Sequence, residues 1–245
     1  MIRLDAATVM HQWAVGGLLF LWFTTRRGVA GAGYAMLLRI VYAVFALVAV
    51  VLGIRYGVVP AREVSAVAVS LVAVATVRNR NPRLDLLAPL VGVPGLIAGA
   101  LVAADGGADT AVSILRIFVS AAFLGAVSDA MLLGHWYLVQ PGMPRKLLNE
   151  MVTAVLWLWP IEAIALLLPT GMVSVLNGTI DDGWDGVLGW FWLASTVLTG
   201  VLTVVTRAAL KERSYSAVMA ATGLMYLAIL TAFCQDIVAR ALLAG

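Results

Sequence analysis

The stretch AVSILRIFVSAAFLGAVSDAMLLGHWYLVQPGMPRK, residues 111–146, decides the fold class. Its run from 111 to 139 holds two charged side chains, Arg116 and Asp129, and one histidine, His135, among Ala, Val, Leu and Ile. At about 1.5 Å per residue such a helix is long enough to cross the roughly 30 Å hydrocarbon core of a bilayer. It ends in Trp136 and Tyr137, the ring types that settle at the membrane–water boundary. A Pro141-Gly142 turn follows, then the basic pair Arg145-Lys146. A helix of this kind spans a membrane, and its basic turn marks the face on which it stops.

The rest of the chain has the same character. Hydrophobic residues make up 62% and charged residues 12%, with a mean hydropathy of +1.00. Soluble domains carry about twice that charge. The chain reads as an all-α integral membrane protein, a single polytopic domain over residues 1–245. Its basic balance, with a pI near 9.3, therefore points to loop orientation and anionic membrane lipid rather than to nucleic acid. One cysteine, Cys234, excludes an internal disulfide, a thiolate zinc site or an iron–sulfur cluster built by this chain. Two histidines, His11 and His135, exclude a His-rich metal site, and no metal is expected. The first apolar run has no A-x-A cleavage site and is expected to stay.

Eight runs approach spanning length: about 5–24, 35–55, 63–78, 86–104, 111–139, 147–173, 186–206 and 216–243. The third is the shortest. Pro89 and Pro94 interrupt the fourth, so a kink is expected there, with neighbouring helices or water meeting the freed carbonyls. One set of connections holds Arg26, Arg27, Arg39, Arg78, Arg80, Arg83, Arg145, Lys146, Arg207, Lys211 and Arg213 against Asp85, Glu150 and Glu212. The opposite set holds Arg3, Arg55, Arg62 and Arg240 against Asp5, Glu63, Asp105, Asp109, Asp181, Asp182 and Asp185, with Asp236 deeper. The positive-inside rule places the first set in the cytoplasm. The expectation is eight helices with both termini outside, in a cell membrane of the bacterial cytoplasmic type. The 174–185 loop reads as an acidic solvated loop with an interfacial Trp184. Gly16-Gly17 and Gly92-x-x-Gly95-x-x-x-Gly99 allow close helix packing.

Ionisable groups inside a bilayer are costly and need a reason. His135 and Asp129 both stand on the fifth run, but six residues at 100° each set them about 120° apart. Asp129 instead shares a face with Trp136. His135 is either part of an interfacial belt with Trp136 and Tyr137 or, with Tyr137 and Arg145, an inner-face headgroup or ligand site. Glu162 follows Pro160, which frees the carbonyl of Leu156; it either marks a proton path or bonds that carbonyl. Asp236 and Arg240, four apart, are placed to pair, at the depth of His11 and Gln12. His11 and His135 belong to opposite leaflets, about 20 Å apart by rise per residue, so one haem b cannot bridge them. No P-loop, GxSxG, HExxH or CxxC motif is present.

His11-Gln12-Trp13 leading into Gly16-Gly17, together with Asp236-x-x-x-Arg240, resembles the membrane anchor subunits of dimethyl-sulfoxide reductase and polysulfide reductase complexes. The resemblance covers about thirty residues. It implies about eight helices, a quinone (menaquinone or ubiquinone) near His11, Gln12, Trp13, Asp236 and Arg240, and a partner iron–sulfur subunit that exchanges electrons with it. The expected function is thus a quinone-interacting subunit of a respiratory or electron-transfer complex without its own redox metal. In that reading Glu150, Asp129, Glu162 and Asp236 form a proton ladder. A proton-coupled transporter using the same carboxylates and a structural accessory subunit are the alternatives.

Overall fold

The computed structural model describes residues 5–104 and 108–243; Arg3 and Asp105, which enter the loop-charge comparison, lie outside the described residues. Among the described residues every regular element is a helix: α1 Ala6–Thr25, α2 Ala32–Tyr56, α3 Pro60–Ala75, a 3-10 turn Pro82–Leu86 running into α4 Leu87–Val102, α5 Ala108–Val139, α6 Arg145–Leu167, α7 Gly171–Leu176, α8 Val187–Ala209 and α9 Tyr215–Leu243. Seven are long and apolar enough to cross a membrane: α1, α2, the unit Pro82–Val102, α5, α6, α8 and α9. The architecture is that of a multi-pass helical membrane protein. The third expected run forms α3, which at 16 residues is shorter than a full span. The sixth run, expected to reach 173, stops at Leu167. Pro169 cannot continue a helix and disfavours helical backbone in the residue before it, and the chain resumes in the short α7.

Local chemistry sets the helix ends. Asp5 caps α1, accepting from the Thr8 N–H at 3.1 Å and the Thr8 hydroxyl at 2.6 Å. Proline occupies the first position of α3, where no N–H is needed. Glu63, in the same first turn, reaches back to accept from the Val59 N–H at 2.9 Å. Asp182 does most. Its carboxylate accepts from the N–H groups of Trp184, Gly186, Leu188 and Gly189 at 2.8 to 3.3 Å, gathering the start of α8. The 174–185 segment is therefore not wholly a solvated loop: Asp182 is buried and Trp184 is exposed.

The basic connections gather at one end. Gln140 accepts from the Gly31 N–H and donates to the Val29 carbonyl, tying the α5–α6 turn to the α1–α2 turn. Arg27 pairs with Glu150 at 2.8 Å. Arg145 donates to the carbonyls of Glu212, Arg213 and Ser214 in the α8–α9 turn. Arg39 grips Asp85 and the carbonyls of Val77 and Asn79, closing the α3–α4 connection onto α2. The opposite end, where α1 starts and α9 stops, is held by Arg62 on Asp5 and Glu63, each at 2.6 Å.

In lipid, apolar burial gives no net drive for helices to associate, so close packing of small residues must. α1 packs on α2, α4 and α5; α5 also packs on α6 and α9, and α8 closes a four-helix ring by packing on α6 and α9. A Cβ at Gly16 would fall on the Ala121 carbonyl, and one at Gly125 on the Gly16 backbone. Gly92, Gly95 and Gly99 of α4 lie against Val15, His11 and Thr8 of α1. The glycines serve packing, as their spacing implies.

Candidate functional site

At the end opposite the basic turns, a narrow cleft opens between α1, α4, α5, α6 and α9. Arg116 and Arg240 face into it with Asp5, and Gly99, Ile117 and Leu166 form part of its wall. It holds about 560 Å³ of atom-free space, of which only about 60 Å³ is wide enough for the centre of a water molecule. A second groove of about 490 Å³, almost wholly apolar, continues along the α4–α5 seam, with Gly16 and Val15 among its lining. Ile117 in the cleft and Phe118 in the groove are chain neighbours, and Gly99 and Leu96 are one turn apart. The apolar groove thus lies next to the cationic cleft.

The cationic cleft is built from below. Gln12 on α1 donates to Asp236 Oδ2 at 2.7 Å, and Arg240 Nε spans both Asp236 oxygens at 2.9 and 3.0 Å. Arg240 Nη2 donates to Gln12 Oε1, which closes the triangle. Gln12 and Asp236 are wholly buried. The carboxylate neutralises the guanidinium while the fork geometry fixes its plane, so the free edge of Arg240 is held toward the cleft. Arg116 is placed by carbonyls that the end of α6 leaves unpaired: it donates to Ala165 O at 3.1 Å and to Leu168 O. Helix ends leave such carbonyls without intrahelical partners.

His11 is buried behind this cleft, not in it. Its Nε2 is 2.9 Å from the Gly92 carbonyl, beside the turn that Pro94 opens. Ser65 from α3 donates to the neighbouring Val91 carbonyl at 2.7 Å. Neither acceptor is the Leu90 carbonyl that Pro94 leaves without its N–H partner; the two side chains instead tie α1 and α3 to the turn of α4 before the proline. Trp13 packs against Phe45 and Phe233 and donates to Ser128 at 2.9 Å. Of the five residues expected to hold quinone, then, Arg240 reaches the cleft, Gln12 and Asp236 position it, and His11 and Trp13 brace helices.

The remaining polar residues separate as well. Asp129 is buried and takes a short hydrogen bond from Tyr42. On the same face Trp136 stacks near Tyr34 and donates to Gln140 at 3.1 Å. His135 is exposed on another side, edge-on to Tyr226. Tyr137 donates to the Pro144 carbonyl at 2.7 Å, and Arg145 is committed to the α8–α9 turn. Among the described residues, His135, Trp136, Tyr137 and Arg145 thus each meet a different partner. Glu162 is buried and accepts from Ser120 on α5 at 2.6 Å; this hydroxyl, rather than the Leu156 carbonyl, is its partner. Glu150 sits apart, paired with Arg27 at the basic end.

Sequence reasoning missed Tyr34 and Tyr42. Their signal was two hydroxyls eight residues apart inside an apolar run, each needing a partner on the facing helix. It also missed Gln235, whose amide is wholly buried. Comparison with family models, curated proteins and solved structures returned no match.

Proposed function

We propose that the chain is a quinone-binding membrane subunit of an electron-transfer complex in the bacterial cytoplasmic membrane, with its redox centres on partner subunits. The observation that carries this reading is a narrow cationic cleft with an apolar groove beside it along α4 and α5. A quinone is a planar ring on an isoprenoid tail. The ring oxygens accept hydrogen bonds from Arg240 and Arg116, and the tail lies over Gly16 in the groove. Oxidation of the quinol releases two protons and two electrons. The electrons pass to a partner's iron–sulfur or haem centre, and the protons leave through carboxylates at this end.

The orientation belongs to the same proposal. Counting α3, the chain crosses eight times, the basic end faces the cytoplasm and the cleft opens in the outer leaflet. The positive-inside distribution supports this, as does the gathering of all four basic turns at one end.

The test is purification in mild detergent from native membranes, solvent extraction, and chromatography of the extract. A quinone at near-stoichiometric amount is expected, and Arg240→Ala or Arg116→Ala should lower its occupancy at least tenfold. An extract containing only phospholipid, with no binding of added menaquinone or ubiquinone, would overturn the reading.

A further inference from the structure

The α5–α6–α8–α9 ring has a polar interior that the outer cleft does not account for. Thr196, Thr199, Thr203 and Thr206 follow one another on α8 at steps of three and four, and all are buried. Their direction is set by their neighbours. Trp159 of α6 donates to Thr196 O at 2.7 Å and covers Gly200, while Thr199 bonds Thr231 of α9 at 2.7 Å. The row therefore lies between the α6 and α9 contacts and faces the centre of the ring. Each hydroxyl donates to the carbonyl four residues back, at 2.7 to 2.9 Å. That turns the hydroxyl protons toward the backbone, so the row offers oxygen lone pairs as acceptors for water, with Thr199 sharing its oxygen with Thr231.

The row leads to a tier of buried groups without partners. α8 and α9 run antiparallel, so one turn beyond the Thr199–Thr231 pair Ser195 lies opposite Gln235. On α6, one turn beyond Trp159 brings Glu162 to the same level. Glu162 Oε2 and both amide atoms of Gln235 have no hydrogen-bond partner among the described residues, and both side chains are fully buried. The indole N–H of Trp192 is a further unpartnered donor. Its ring packs with Leu166 and Ala239, roofing this tier on the side away from the basic turns. Unpaired buried groups are costly, and buried water making two to four hydrogen bonds is the usual remedy.

We propose that this ring holds a proton-exchange path in which Glu162 gives and takes its proton through water held by the α8 threonine row, leading to the basic end. Successive threonines are about 4.5–6 Å apart along the axis, a gap that one or two hydrogen-bonded waters span. A proton arriving as hydronium binds Glu162 Oε2, and the same O–H bond breaks on its return, so no other reactant is needed. The charged groups facing Glu162 are Arg116 from α5 and Asp236 and Arg240 from α9. α8 contributes only neutral groups at this level. Those charges connect the path electrostatically to the cleft, but the path itself stands on the ring, whatever the cleft binds.

Infrared spectroscopy of the purified protein in nanodiscs tests this. The protonated carboxyl band lost in Glu162→Gln identifies the group. On transfer to D2O that band should shift within minutes. Thr199→Val and Thr203→Val, which keep the side-chain shape, should slow the shift at least tenfold, while Thr24→Val, at a buried α1 hydroxyl outside the ring, should not. Overturning results are the absence of a Glu162 band, exchange as slow as the core helix amides, or exchange unaltered by both valines.

Discussion

Asp182 shows how much a single loop residue can organise. Burial raises the carboxyl's pKa, but hydrogen bonds from the Trp184, Gly186, Gly189 and Leu188 N–H groups outweigh it and leave the pKa below the usual carboxylate range. A depressed folded-state value adds stability that is complete above the unfolded pKa of about 3.9 and is lost as pH falls through the folded value. Thermal unfolding in nanodiscs should thus be insensitive to Asp182 down to about pH 4 and then weaken. Asp182→Asn, with one acceptor oxygen in place of two, should melt lower at neutral pH, and the gap to the parent should close in strong acid. Arg39 is the second residue of this kind. It and Asp85 are both buried, joined at 2.5 and 2.9 Å, and Thr25 fills the other carboxylate oxygen at 2.7 Å. Breaking a buried pair leaves a charge uncompensated, at about 3–5 kcal/mol. Arg39→Ala should lower the unfolding midpoint sharply, and Arg39→Lys should recover only part of it because an ammonium lacks the fork. The sequence placed Arg39 among the loop charges by position. That Asp85 turns inward to meet it was not legible, because the 3-10 turn that aims Asp85 has no periodic pattern.

At the scale of elements, the apolar runs were readable and their stops less so. α1, α2, α5, α8 and α9 follow the expected boundaries to within about three residues, because the apolar runs mark their extent and caps only trim the ends. α6 ends early because Pro169 outweighs the apolar residues beyond it. The site was half legible: the i, i+4 spacing of Asp236 and Arg240 announced their pairing, and Gln12 joins them. The cleft itself was not, since Arg116 reaches it only through carbonyls at the end of another helix, and no spacing within one helix encodes that. His11 carried a misleading signal, because a histidine that ties one helix to a backbone carbonyl of the next looks the same in sequence as one that meets a ligand. The α1–α5 seam is where a single added methyl should matter most. A Cβ at Gly125 meets the backbone of Gly16 and the Gly17 nitrogen, neither of which is a flexible side-chain end. Gly125→Ala should therefore force the helices apart and cost about 1–3 kcal/mol, the range for overpacking. Gly223, with nothing near its added Cβ, is the control, and Gly223→Ala should leave the melting curve unchanged or raise it slightly.

For the molecule as a whole, the separation of its two ends is the property that every functional reading needs. The basic turns are bound to one another by Gln140, Arg145, Arg27 and Arg39, so they move as one face. The opposite face carries Asp5, Arg116 and Arg240 around the cleft, with Arg62 paired to Asp5. A path for protons through the ring has direction only if these faces lie on different sides of a membrane. That requires α3 to cross despite its 16 residues. Its rise of about 24 Å is shorter than the core, but Arg62 and Glu63 at its start are buried against Asp5 and α2 rather than set in lipid. The unpaired width is then met by protein. Single cysteines introduced into a Cys234→Ala background test the arrangement with a membrane-impermeant maleimide on intact cells. Val58, in the α2–α3 turn, should label from outside, whereas Arg80, in the α3–α4 connection, and Lys211, in the α8–α9 turn, should label only after the membrane is opened. Labelling of Val58 and Arg80 from the same side would mean that α3 does not cross. The basic face would then be divided between the two sides of the membrane, and the contacts that bind its turns together would have to break.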